Sequence, residues 1–175
     1  AERIGRAPGA GSSSPLIKKA LVECMRSAKR LAKPKVLTKT IPSPEMRAGS
    51  SIAGYLKDTM HAVAFVITIG NGLELAATKL MRDGKDLDGY LLDRIGSYAV
   101  ESLAETLEKK LRKSYASKGL SISMRLSPGY CDWPIEGQFE LDKIMNFSSA
   151  GVCLTDGCMM IPRKSISGLV AVGKK

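Results

Sequence analysis

Aromatic side chains make up only 5% of this 175-residue sequence, with a single Trp. That scarcity argues against a nucleic-acid binder of the stacking type, which interleaves rings with its basic residues. Histidine is equally rare: His61 is the one copy. It reads as an ordinary residue at a strand start rather than as a metal ligand. The four cysteines, Cys24, Cys131, Cys153 and Cys158, lack the close paired spacing of a zinc site. They read as free thiols, although Cys131, Cys153 and Cys158 could converge as a metal or redox group. No apolar run approaches the roughly 20 residues needed to span a bilayer. Ala1 to Ser14 has no apolar stretch of the kind a secretory signal needs. A cytoplasmic protein that binds neither membrane nor nucleic acid is therefore expected.

What the chain does contain is aliphatic and basic. Hydrophobic residues are 44% of the sequence, enough for one domain with a sizeable core, and eight methionines are available to fill its gaps. The net charge of +10 favours encounters with acidic partners.

The pattern of apolar residues predicts a mixture of helices and strands. Ala1 to Ser14 is rich in Gly, Ala and Ser and reads as a flexible lead-in (1–14), followed by a single domain over 15–175. Ser14-Pro15 offers an N-cap and a first-turn proline, and Ile17, Leu21, Cys24, Ala28 and Leu31 follow on one helical face. Pro34 ends that helix. Lys35 to Thr40 reads as a short strand and Ser51 to Asp58 as a short helix. Ala62 to Ile69 is continuously apolar and rich in β-branched residues, which predicts a buried strand. Gly70-Asn71-Gly72 after it lacks the third glycine of a dinucleotide fingerprint and reads as the turn that starts a helix over Leu73 to Met81. Asp86 to Tyr115 is the longest helical segment. Its apolar face is expected to run through Leu87, Leu91, Ile95, Tyr98, Leu103, Leu107 and Leu111. Gly89 and Gly96 leave open one bent helix or two short ones.

The last third changes character. Leu120 to Leu126 predicts a strand, Ser127-Pro128-Gly129 a turn, and Pro134 to Phe147 a helix with Ile135, Phe139 and Met145 inward. Short strands around Gly151 to Leu154 and Met159 to Pro162 precede a last strand over Ile166 to Val172. Without regular β-α-β alternation, the class is α+β, a mixed or antiparallel sheet with helices packed against it.

Chemistry concentrates in Arg125-Leu126-Ser127-Pro128-Gly129-Tyr130. An arginine can grip a carboxylate through two parallel hydrogen bonds. A tyrosine ring can face a cation. The glycine lets a ligand approach the backbone. On the long helix, Glu105 can lean on Lys109 and Glu108 on Arg112, but Glu101 has no basic residue three or four positions later. Glu101 is thus a carboxylate without a local partner that could receive an amine.

The order Arg-x-x-Pro-Gly-Tyr-x-x-x-Pro (Arg125 to Pro134), Leu154-Thr155-Asp156, Met159-Met160-Ile161-Pro162 and Ser165-Ile166-Ser167-Gly168 resembles the activation domain of cobalamin-dependent methionine synthase, most of all its shorter stand-alone relatives. The resemblance covers the chain from about Pro15 onward. It implies an S-adenosylmethionine site in which Arg125 takes the carboxylate of the methionine moiety and Glu101 the α-amino group. Gly129 and Tyr130 would line the ligand, and Ser127 and Pro128 would supply nearby backbone contacts. It also implies a role in the reductive methylation, or reactivation, of a cobalamin carried by a partner, either a cobalamin-dependent methyltransferase or a corrinoid protein. An Asp-x-His-x-x-Gly loop for holding cobalamin does not occur in the sequence. The basic charge would also suit an acidic electron donor such as flavodoxin. The family's further tyrosine beyond the Ser-x-Ser-Gly strand has no counterpart before Lys175. A degenerate docking module that binds a corrinoid protein without S-adenosylmethionine is therefore the alternative.

Overall fold

A computed structural model describes residues 14–42, 50–57 and 59–174. The expected lead-in before Ser14 lies outside these residues. Helix α1 (Pro15–Leu31) begins where Ser14 accepts a hydrogen bond from the Leu16 amide, and it stops at Ala32 before Pro34. Strand β1 (Lys35–Pro42) is two residues longer than expected. Helix α2 (Ser50–Leu56) leads to β2 (His61–Thr68), then α3 (Gly72–Arg82) and α4 (Asp86–Ala116). After the short β3 (Leu120–Ile122) come α5 (Gly137–Met145), a 3-10 turn (Phe147–Ala150), the hairpin strands β4 (Cys153–Leu154) and β5 (Met160–Ile161), and finally β6 (Ser165–Lys174). The class is α+β as expected.

The main sheet is antiparallel throughout, in the order β1-β2-β6-β3. β2 lies inside it and explains the uninterrupted apolar run. Because side chains alternate across a strand, Ala62, Ala64 and Val66 pack on one face with Ile52, Trp133, Leu141 and Phe147. Phe65 and Ile67 pack on the other with Cys24, Leu73, Leu92 and Ala104. The sheet is thus sandwiched, with α1, α3 and α4 on one side and α2 and α5 on the other. No helix among the described residues is long and apolar enough to cross a membrane.

Helix α4 is one continuous element of 31 residues, which resolves the open question of its glycines. Gly89 is there for close approach: a Cβ would sit 2.6 Å from Met81 Cγ and 2.9 Å from the Ala77 carbonyl of α3. The fully buried stripe of α4 is Gly89, Leu92, Gly96, Val100 and Ala104, and of the expected face Leu91, Ile95, Leu103, Leu107 and Leu111 pack half-buried against the core beside it. Leu87 and Tyr98 are exposed. Glycine and alanine within that stripe let the helix lie close to α3 and the sheet, with larger residues packed between and beside them. On α1 only Cys24 and Ala28 of the expected face are buried, and Ile17 and Leu21 stay partly exposed at its free side.

Two expectations for the last third are corrected. The strand expected over Leu120 to Leu126 is regular only to Ile122, and Leu126 then makes an isolated bridge to Leu169. The Ser123 hydroxyl accepts the Ala171 amide at 3.0 Å and donates to the Met124 carbonyl at 2.6 Å, so a side chain takes over ladder bonding there. α5 starts only at Gly137, and its inward residues are Gln138, Leu141 and Met145. Ile135 and Phe139 are exposed. Spacings of three and four residues from Gln138 set the face that meets the sheet.

The loop into β6 is fixed to the helical layer. Lys164 Nζ lies 2.8 Å from Asp93 Oδ1 and 2.9 Å from Ser97 Oγ, both on α4. Glu74 on α3 accepts the Arg163 amide at 3.0 Å. Gly70-Asn71-Gly72 starts α3, as expected, and packs beneath the end of α1: the Lys33 amide donates to the Ile69 carbonyl at 2.8 Å. His61 pairs with Tyr115 at the far end of α4, with Nε2 3.1 Å from the phenol oxygen.

Candidate functional site

The site forms where α4 passes the interrupted edge of the sheet. Glu101 and Glu108 are seven residues apart on α4, close to two turns and about 10 Å along the axis. They therefore present carboxylates along one stripe of the helix. Arg125 faces them from the irregular stretch between β3 and the Leu126 bridge. This stretch is held at both ends: the Ser123 amide donates to the Ala171 carbonyl at 2.9 Å, and Leu126 and Leu169 exchange two bonds of 2.9 Å.

The guanidinium of Arg125 donates to Glu101 through one terminal nitrogen, and its Nε lies 3.2 Å from Glu108 Oε2. The other oxygen of Glu108 takes Arg112 at 2.8 Å. Glu105, between the two acids, turns away and leans on Lys109 at 3.7 Å in solvent. Burial opposes the charge on Arg125, but hydrogen bonding and attraction from Glu101, then from Glu108, outweigh it and hold the guanidinium above its ordinary pKa.

Glu101 has no partner on its own helix, as expected, but it is not free to receive an amine unopposed. Helix neighbours at three and four positions give it none, but a residue 24 positions away does. Glu108 is the residue that the sequence reading missed at the site. Its pairing with Arg112 is present as expected, and that local partner concealed the second, tertiary one.

Beyond Arg125 the chain makes a tight turn. The Tyr130 amide donates to the Ser127 carbonyl at 3.2 Å, and Gly129 adopts φ +88°, a conformation natural to glycine. The Ser127 hydroxyl donates to the Ser167 carbonyl at 2.8 Å, and the Ser167 hydroxyl donates to buried Gln138 at 2.6 Å. Trp133 is fully buried beneath the turn. Asp132 accepts the amides of Ser51 at 2.8 Å and Ile52 at 3.3 Å, which caps α2 and carries Ile52 to the site.

Together these residues wall a cavity of about 480 Å³. Among the described residues its polar lining is Glu101, Glu108, Arg125, Ser127, Tyr130 and Cys131, and its apolar lining is Ile52, Met124, Leu126 and Ile166. That volume suits a small molecule. Of the site residues expected from sequence, Glu101, Arg125, Ser127 and Tyr130 line the cavity. Pro128 and Gly129 shape the turn behind it. Tyr130 stands 72% exposed at the mouth, available to cover a ligand. Cys131 joins the lining, but Cys153 and Cys158 do not, so the three cysteines do not converge there.

Two predictions arise here. The backbone hydrogen bond from Ser51, larger than the opposing desolvation, depresses the Asp132 pKa, with further help from Ile52. A carboxylate with a depressed folded-state pKa stabilises above its unfolded value, near 4, and that contribution is lost as pH falls through the lower folded value. Protection of the Ser51 and Ile52 amides from hydrogen exchange is expected to hold at pH 6 and to drop below pH 4. Asp132→Asn should remove the pH dependence. Equal protection factors in both proteins at both pH values would refute the cap. The cysteines should separate by access. Cys131 and Cys153 are exposed, whereas Cys24 and Cys158 are buried. Burial, then the nearby Asp88 and Glu23, pushes the Cys24 thiol up. Iodoacetamide at pH 8 should alkylate Cys131 and Cys153 at least about tenfold faster than Cys24, as peptide mass mapping would read. Comparable rates would contradict this placement.

The family described as vitamin B12 dependent methionine synthase, activation domain, matches residues 21–175. The chain belongs to that family. Among solved structures it resembles the reactivation domain of MetH, crystallised bound to AdoHcy, with a TM-score of 0.72 at 16% identity. The match covers 94% of this chain and 67% of that one. At that identity the likeness establishes the activation-domain fold alone. No curated protein shows significant sequence similarity to the chain. Within the activation-domain fold, the Arg-x-x-Pro-Gly-Tyr turn and the acids of α4 meet across the cavity.

Proposed function

We propose that this activation domain, one unit from Pro15 onward, binds S-adenosylmethionine in the cavity between α4 and the Arg125–Tyr130 turn. It thereby supports reductive methylation of cobalamin on a partner methyltransferase or corrinoid protein. The observation that carries the reading is the charge constellation: one guanidinium between two carboxylates at the wall of a cavity of small-molecule size. That donor set fits a ligand with both a carboxylate and cationic groups. Arg125 can take the carboxylate through its planar fork, Glu101 the ammonium, and the Tyr130 ring can lie against a cation.

S-adenosylmethionine would supply an activated methyl group, and the cobalt of the partner's corrin would be its acceptor. The work of this chain is to hold the donor in one orientation and to present it at an open cavity mouth, which is catalysis by proximity. Arg125 fixes one end of the ligand, and Ile52 and Met124 offer apolar surface to the other. The net charge of +10 would favour an acidic electron donor such as flavodoxin during the same cycle.

One observation favours a second reading. Arg125 already has two acidic partners of its own, so the chain could be a docking module that keeps the arginine as a structural tie. Calorimetric titration with S-adenosylmethionine separates the two. Saturable binding at or below about 100 μM, lost in Arg125→Ala, is expected. A chain that binds a corrinoid protein but takes up no S-adenosylmethionine at millimolar concentration would establish the docking module instead.

A further inference from the structure

Glu108 reaches the cavity, yet ligand recognition as drawn above leaves it without a task. Its carboxylate lies on the wall, 3.2 Å from Arg125 and 26% exposed. Among the described residues the charged lining is Glu101, Glu108 and Arg125, which sum to one negative charge. The amino-acid end of the ligand is a zwitterion. Its carboxylate on Arg125 and its ammonium on Glu101 balance, and the carboxylate of Glu108 is left over. Arg112 holds the far oxygen of Glu108, but its side chain is 54% exposed and does not line the cavity. Water and salt screen that outer pair more than they screen a charge inside.

We infer that Glu108 is a specificity residue that makes the cavity prefer the cationic sulfonium of S-adenosylmethionine to the neutral thioether of S-adenosylhomocysteine. The inference rests on the ligand proposed above and deepens it. Glu101 and Glu108 touch the same guanidinium, so a ligand whose carboxylate displaces them from Arg125 is within reach of both. The amine and the sulfur of the ligand are only a few bonds apart, which suits two acids two helical turns apart bending toward one point. The spent ligand has lost its positive sulfur, so the attraction that draws in the donor is absent for the product. Charge at this one residue therefore biases the site toward loading the donor and releasing what remains.

The test is calorimetric titration of the whole chain and of Glu108→Gln with both ligands, at about 50 mM and about 0.5 M salt, either side of strong screening. Glu108→Gln keeps the shape and removes the charge. It is expected to lose about five- to tenfold in affinity for S-adenosylmethionine, as one partly screened charge pair predicts, and less than about twofold for S-adenosylhomocysteine. In the unsubstituted chain the preference for S-adenosylmethionine should shrink at high salt, a readout that needs no variant to fold. Equal losses for both ligands would mean that Glu108 only positions Arg125 and would overturn the inference while leaving the ligand intact. A salt-independent preference would overturn it as well. Failure of the unsubstituted chain to bind either ligand would overturn the ligand reading and this inference together.

Discussion

Gly168→Ala is expected to lower stability by about 3 kcal/mol, near the upper range for overpacking a core. For a chain of this size that is a fall of about 10 °C in Tm. A Cβ at this position would meet the Leu126 carbonyl oxygen at 2.3 Å, Ser127 Oγ at 2.6 Å and Phe65 Cζ at 3.1 Å. The first contact is roughly 1 Å inside van der Waals distance, and it is made with backbone, which cannot rotate away. Gly168 stands opposite Phe65 in the β2–β6 register, at the centre of the sheet. The strain would fall on the Leu126–Leu169 bridge and on the Ser127–Ser167 hydrogen bond that anchor the cavity turn. Affinity for S-adenosylmethionine should therefore fall in the same variant, even at temperatures where it is folded. Thermal melts by circular dichroism read the first effect and calorimetry the second. A melting temperature within about 2 °C of the parent would show that the turn can retreat without cost.

Arg125→Ala should reduce affinity for S-adenosylmethionine by at least about 100-fold. It removes the one basic residue that lines the cavity among the described residues and with it a charge-assisted fork, for which a few kcal/mol is typical. It also leaves Glu101 and Glu108 without their shared cation, a further cost of at most about 1 kcal/mol in stability, since Glu101 is half exposed and Glu108 keeps Arg112. Arg125→Lys restores the charge but not the planar geometry. It should recover most of the stability and only part of the binding. If lysine restored binding in full, a point charge would be sufficient and the fork argument would fail.

Most of the elements are legible in the sequence because their causes are local. β2 shows as an apolar run because it is buried on both faces. α1 shows through its Ser-Pro start and its proline stop. The corrected features all have non-local causes. The glycines at the centre of the buried stripe of α4 are invisible to a search for large apolar residues, since their cause is the closeness of α3 and of the loop before β6. The end of β3 at Ile122 depends on a serine hydroxyl replacing a ladder bond. Exposure of Ile135 and Phe139 follows from where α5 begins, which apolar spacing alone does not fix. At the site, the Arg-x-x-Pro-Gly-Tyr turn is plain in the sequence, and Glu101 is found by its missing helical partner. Glu108 is hidden for the opposite reason: a satisfied local pair with Arg112 gives no hint of a second contact.

The position of β6 has a consequence for how the molecule comes into being. Of the strands in this sheet it is the last to be synthesised, yet it lies between β2 and β3. Until it has been made, β2 can pair only with β1, and its other edge stays open, apolar and suited to joining a strand of another chain. The bonds of β6 to β2 and β3 span about 100 and 50 residues of sequence. The nascent polypeptide therefore holds every part of the Glu101–Arg125 pairing before it holds the strand that fixes Arg125 in place. Its exposure to aggregation is greatest in the moments before synthesis passes Ser165.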